Sequence, residues 1–328
     1  MNSDDLAAQQ AGLDMINAIL FPFAAERMAE IKANNTRFVH YTSAAAGISI
    51  LQNNCVWLRN SSLMNDYSEV KHGLDCLFHA WNEKGLGDRF SAILNAIDPN
   101  SGDKLQATFN DTIPELVSES YLLSISEHGD GIEDRVGRLS MWRAYGSSTG
   151  VAFVFNQHPF ISPSDALHAY TSPVLYGDRS DFAVMFERLV KGFEENLSFL
   201  TELVQQGWSA TNMVEILRFA VLSAKHPGFR EEREWRVIYN PERNPSANIM
   251  SELVVLNGVP QRIHKIPFVN HPDQGFTGAT VPELLEKIII GPSAHPYPIA
   301  RAFADLLEER GVQDIGNKIV ISDIPLRQ

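Results

Sequence analysis

The chain lacks most of the features that settle a protein's class at sight. It has two cysteines in 328 residues, Cys55 and Cys76, too few for a disulfide framework, and such thiol usage is expected of a reduced, cytoplasmic compartment. No window approaches 18 uninterrupted apolar residues, and the opening MNSDDLAAQQ is acidic, so neither a membrane span nor a secretory leader is expected. An excess of positive charge is missing too: 27 Lys and Arg against 40 Asp and Glu leave −13. General electrostatic binding of nucleic acid is therefore not expected, because phosphate contacts need clustered cations; only a local basic groove stays open. A P-loop and a dinucleotide-binding glycine fingerprint are both absent from the sequence, which argues against a kinase or a dehydrogenase.

What is present is material for a full core. With 44% hydrophobic residues and no low-complexity run, the chain suits one large domain, or one domain with an appendage. Residues 1–36 read as an N-terminal helical appendage, with Leu13, Ile16, Ile19, Leu20 and Phe23 forming an apolar stripe that Pro22 kinks. Residues 37–328 read as the main domain, in which short strands (RFVHYT, CVWL, YLLSIS, VAFVF, KIIIG) are mixed with irregularly placed helices. A long helical insertion spans about 181–223. The expected class is α+β, with a mixed sheet and flanking helices.

The most informative stretch is REEREWRVIY, Arg230 to Tyr239. Read as extended chain, Glu232, Glu234 and Arg236 share one face, and the two carboxylates stand about 7 Å apart. The tail WRVIY reads as buried β structure, so this strand carries Glu-x-Glu at the entrance to a core, a pattern closer to a site than to a solvated edge. Two ready-made alternatives fail on context. Gly146-Ser147-Ser148-Thr149-Gly150 fits G-x-S-x-G, but the order there is helix, turn, strand, the reverse of a nucleophile elbow. His72, Cys76 and His79 share a helical face, yet their neighbours Leu74, Leu77 and Phe78 read as core and no fourth ligand stands out, so no metal is expected. His40 and Tyr41 on the first strand, the Asn65-Asp66 turn, and Trp142 with Tyr145 at i, i+3 supply an imidazole, an amide, carboxylates and aromatics. These are the groups a nucleotide site uses for stacking, hydroxyl contacts and meeting a developing cation.

Taken in order, HYT, VWL, MND, LLSISE, MWRAYGSSTGVAFVF, REEREWRVI and KIIIGPSA resemble the bacterial family catalogued as domain of unknown function family 2971. The likeness runs from about Phe38 to Ile324. That family is grouped with the ADP-ribosyltransferase-like folds, and the resemblance implies a split, mixed β-sheet with NAD as substrate and no metal. It implies that His40, with Thr42 beside it, bonds an NAD ribose hydroxyl, that Tyr41 or Tyr145 stacks on nicotinamide, and that Trp142, Asn65, Asp66 and Arg236 belong to the same site. Glu234 would hold the nicotinamide ribose, Glu232 would position the acceptor, and Ser124 and Ser126 would form a Ser-x-Ser element. The implied activity is transfer of ADP-ribose from NAD to a macromolecule, of the toxin or phage-defence kind, with protein favoured over nucleic acid as acceptor because of the negative charge. NAD hydrolysis, and a non-catalytic nucleotide- or protein-binding module, stay open as alternatives. A His-Tyr first strand combined with Glu-x-Glu leaves the branch, and so the acceptor, unassigned.

Overall fold

A computed structural model describes residues 12, 14–64, 68–207 and 210–325. The chain divides into two compact units, one made of Met1–Glu30, Ser61–Ser120 and Ser172–Arg230, the other of Ile31–Asn60, Tyr121–Thr171 and Glu231–Gln328. The 181–223 stretch thus falls with residues 61–120 into one helical unit, whereas helix Pro22–Asn34 is divided between the two at residue 30.

The strands in chain order are β1 (Arg37–Ser43), β2 (Cys55–Asn60), β3 (Tyr121–His128), β4 (Gly150–Phe155), β5 (Ala169–Pro173), β6 (Leu175–Tyr176), β7 (Ala224–Lys225), β8 (Glu234–Tyr239), β9 (Met250–Leu256), β10 (Val259–Pro267), β11 (Leu285–Ile290) and β12 (Ile319–Ile321). In the helical unit β6 and β7 form a small parallel pair. Around them, helix Ser68–Asn82 buries Val70, Gly73, Cys76, Leu77 and Ala80, which follow one another at helical spacing and so share one face. A side chain at Gly73 would overlap the Val221 carbonyl of helix Ala210–Leu222, so glycine here sets how closely the two helices approach. His72 donates from Nε2 to the Gly177 carbonyl at 3.0 Å, and His79 faces Glu83. The long insertion resolves into helices Arg179–Glu195, Leu197–Gln205 and Ala210–Leu222, the first opened by a capping box between Asp178 and Asp181. Among the described residues, no helix is long and apolar enough to cross a membrane.

The second unit is organised by a ten-stranded mixed sheet with the path β12-β11-β4-β1-β3-β2-β10-β9, to which β8 and β5 are joined through β3. Strand β4 is buried at all six positions, as its run of Val, Ala and Phe demands of a strand covered on both faces. The terminal β11 and β12 pair in parallel, joined through helix Pro296–Glu309, the crossover that parallel strands need.

Against one face of β1 and β4 lie Met141 and Trp142, forming a cluster with Val39, Tyr41, Ala152, Val154 and Ile289. Trp142 belongs to one turn of π-helix, Trp142–Gly146, and its indole sits in a cage of glycines. A Cβ at Gly137, Gly150 or Gly291 would stand 2.6, 3.0 or 2.8 Å from the ring. Its Nε1 donates to the Val136 carbonyl at 2.9 Å, and Tyr41 meets it edge-on at 4.8 Å. Trp142→Ala is expected to cost about 3–5 kcal/mol, and Gly291→Ala about 1–3 kcal/mol through overpacking. Because both act on one contact, urea unfolding of the double variant should show less than the sum.

Candidate active site

Two serines and two charged groups meet across the β3–β8 ladder. Ser124 is registered against Arg236 and Ser126 against Glu234, so all four side chains share a face. The sequence builds this by alternation: Trp235 and Val237 point the other way, where Trp235 packs on Phe38 and donates from Nε1 to Glu127 at 2.8 Å. On the shared face the Ser124 hydroxyl donates to Glu234 Oε1 at 2.6 Å. Arg236 donates from Nε to the same oxygen at 3.0 Å and from Nη2 to Oε2 at 3.3 Å. Glu234 and Arg236 are 5% and 3% exposed. A buried carboxylate with both oxygens engaged is held in one orientation, since each donor fixes a direction as well as a distance.

His40 arrives from the neighbouring strand. β1 pairs with the end of β3, at Ser126 to His128, while β2 pairs with its start, at Tyr121 and Leu122. In the interval His40 Nδ1 lies 3.0 Å from the Ser124 carbonyl. A carbonyl only accepts, so Nδ1 carries the proton and Nε2 is left as an acceptor. His40 and Glu234 are thereby bridged by one residue, Ser124, through its backbone and its side chain.

Glu232 is placed differently from the expectation. The strand begins at Glu234, and Pro227–Glu232 is a 3-10 helix. Between them Arg233 has a φ of +44°, a left-handed conformation that breaks the two-residue alternation on which a shared strand face depends. The side chain of Arg233 is ion-paired with Glu133, which also meets Arg138 at 2.8 Å. Glu232 accepts a hydrogen bond from the Tyr145 hydroxyl at 3.1 Å, and Tyr145 is 38% exposed.

Arg138, which no motif in the sequence singles out, holds these pieces together. Its guanidinium donates to the carbonyls of Glu231, Glu232 and Glu127 at 2.7, 3.0 and 2.8 Å, and its backbone N–H donates to the Tyr41 hydroxyl at 2.8 Å. The only local signal is Gly137 before it, whose φ of +72° turns the chain into the clip. Tyr41 and Trp142 are both core residues, spent on each other and on backbone partners, whereas Tyr145 is exposed. Thr42 lies opposite Val151 near the end of β1, and Ser126 is buried between Val39 and Glu234. Asn65 and Asp66 lie outside the described residues.

Burial holds the His40 imidazole below its usual value, with the Ser124 hydrogen bond pulling the other way. Burial also lowers His128, against the Asp134 carboxylate 3.1 Å away, and brings His264, between Tyr121 and Tyr239, down to about 4. The sign follows from linkage: above pH 6.5 these groups are neutral folded and unfolded, and below it the unfolded chain takes up protons that the folded chain refuses. Stability should therefore fall from pH 6.5 downward, for His264 at about 1.4 kcal/mol per pH unit until its own folded value is reached. For His264 that amounts to about 3 kcal/mol by pH 4. Chemical denaturation across pH 7 to 4.5 checks this, and His264→Gln should flatten the slope. The carboxylates held low by cationic neighbours, Glu133 and Asp134, lose their contribution only at lower pH.

Residues 141–237 match the model of a family described as protein of unknown function (DUF2971). The matched segment is less than a third of the chain and contains Trp142, Tyr145, Glu232, Glu234 and Arg236, but neither His40 nor Ser124. No curated protein and no solved structure matches the chain.

Proposed function

We propose that the chain cleaves the bond between nicotinamide and ribose in NAD and transfers ADP-ribose to a macromolecular acceptor. The observation that carries this reading is the buried Glu234 carboxylate, fixed at 2.6 Å by Ser124 and at 3.0 Å by Arg236, with a neutral imidazole bonded to the same serine residue. When the bond breaks, its electron pair leaves with the nicotinamide nitrogen, and the ribose carbon becomes an oxocarbenium-like cation. A preorganised carboxylate against that ribose offsets the charge at no cost of reorganisation. His40 Nε2 accepts from a ribose hydroxyl. Glu232, outside the ladder and beside the exposed Tyr145, takes the proton of the attacking acceptor as the new bond forms. The acceptor is proposed to be a protein side chain, because a chain of −13 does not gather nucleic acid by charge.

The test is incubation with NAD and a cell lysate, reading free nicotinamide and labelled macromolecules together. The reading expects both, with the label lost on proteolysis. Nicotinamide without label makes water the acceptor, and label that survives protease in RNA or DNA overturns the choice of acceptor. Release of no nicotinamide sinks the enzymatic reading.

A further inference from the structure

Among the described residues, β9 is the outer strand of its sheet and pairs with β10 alone. The ladder runs without a bulge from Val259 opposite Leu256 to Lys265 opposite Met250. At the turn, Asn257 and Gly258 have φ of +51° and +80°, the signs that a tight two-residue hairpin matched to strand twist requires. β10 is paired with β2 from Ile263 onward, so the half of the hairpin nearest the turn reaches past that neighbour. Leu253 is 69% exposed, Val255 67% and Met250 54%. Monomeric proteins blunt an open edge with lysine, proline, a bulge or a short strand. MSELVVL has seven residues, no lysine and no proline. Its single charge, Glu252, is ion-paired with Lys265 on β10, so the edge is apolar and neutral on a chain that carries −13.

We propose that β9 is a self-association surface, on which a second copy of the chain pairs β9 antiparallel to β9 about a two-fold axis at Leu253. Register and charge single out this occupant. In a two-fold contact every pairing occurs twice. With Leu253 facing Leu253, Glu252 faces Val254, Ser251 faces Val255 and Met250 faces Leu256. No carboxylate stands directly opposite another, each Glu252 brings its own Lys265, and the exposed apolar side chains gain cross-strand neighbours. Over the rest of so acidic a chain, two copies repel each other. The neutral edge is where they approach without that penalty, while the backbone groups of both strands find partners.

The test uses the full chain. Directly opposed residues in antiparallel strands have Cα atoms about 4.5–5.5 Å apart, within reach of a disulfide. Mild oxidation of Leu253→Cys should therefore give a covalent dimer. The parent chain, whose Cys55 and Cys76 are buried, should not, and neither should Val259→Cys, on the inner strand of the hairpin. Sedimentation of the parent chain should show a dimer that grows with concentration. Leu253→Lys with Val255→Lys, at sites open to solvent, should weaken it on the order of tenfold or more with circular dichroism unchanged. A parent chain that stays monomeric, a dimer that survives the two lysines, or a Leu253→Cys chain that does not cross-link would each overturn the proposal.

Discussion

Glu234→Gln is expected to lower nicotinamide release from NAD by about 10²-fold or more, removing transfer and background hydrolysis together. The amide keeps the shape of the side chain and can still accept from the Ser124 hydroxyl, so what it removes is the charge that meets the cationic state. Glu232→Gln should behave differently, because that carboxylate sits on a 3-10 turn beside the Tyr145 hydroxyl, not in the ladder. Transfer should fall while hydrolysis persists, since water reaches the cationic carbon without being positioned and gives up its proton to solvent. If Glu232→Gln loses hydrolysis and Glu234→Gln keeps it, the roles are reversed. If neither variant changes activity, the site lies elsewhere. The surroundings add a thermal signature: Glu234→Gln removes a carboxylate charge paired with the buried Arg236, so its melting temperature should drop, whereas that of Glu232→Gln should not.

A large loss of stability is expected from Arg236→Met. Removing one member of a buried ion pair strands the other, at a cost of about 3–5 kcal/mol, whereas replacing both by apolar groups of similar size is often neutral or better. Glu234→Leu combined with Arg236→Met should thus recover most of the stability lost by Arg236→Met alone while remaining inactive toward NAD. Urea unfolding checks the first half, and nicotinamide release the second. A double variant as unstable as the single one would mean that contacts other than the mutual pairing dominate at these positions. This pair of variants also separates folding from chemistry, which Glu234→Gln alone does not.

The elements of the sheet were legible where burial alone dictates composition. VAFVF and KIIIG are largely apolar runs of strand length, EWRVIY is rich in aromatic and β-branched residues, and the structure forms β4, β11 and β8 there. The helix from Ser68 likewise declares itself by periodicity. The meeting of Ser124, Glu234 and Arg236 could be anticipated as two faces, one from each strand, but not as a contact, because register between strands more than 100 positions apart leaves no local trace. Glu232 was misplaced for a specific reason: arginine with a positive φ is rare, so no propensity announces the break at Arg233. Arg138 stayed invisible because its four segments converge only in three dimensions. The packing of Trp142 was hidden as well, since its room is made by Gly137, Gly150 and Gly291, three residues with no shared motif.

The contacts that define the site also fix when it comes into existence. His40 and Ser124 are 84 positions apart, Tyr41 and Arg138 97, Arg138 and Glu232 94, and Ser124 and Glu234 110. Each is a loop that must close before its bond can form, and contacts of such separation form late. On the ribosome, at about 5–20 residues per second, the chain has β1 and β3 on the order of ten seconds before it has a carboxylate to place between them. No nascent chain or N-terminal fragment that ends before Glu234 carries the charge that the site is built around. The proposed cleavage of NAD, built in this order, is withheld from every copy that stops short of β8.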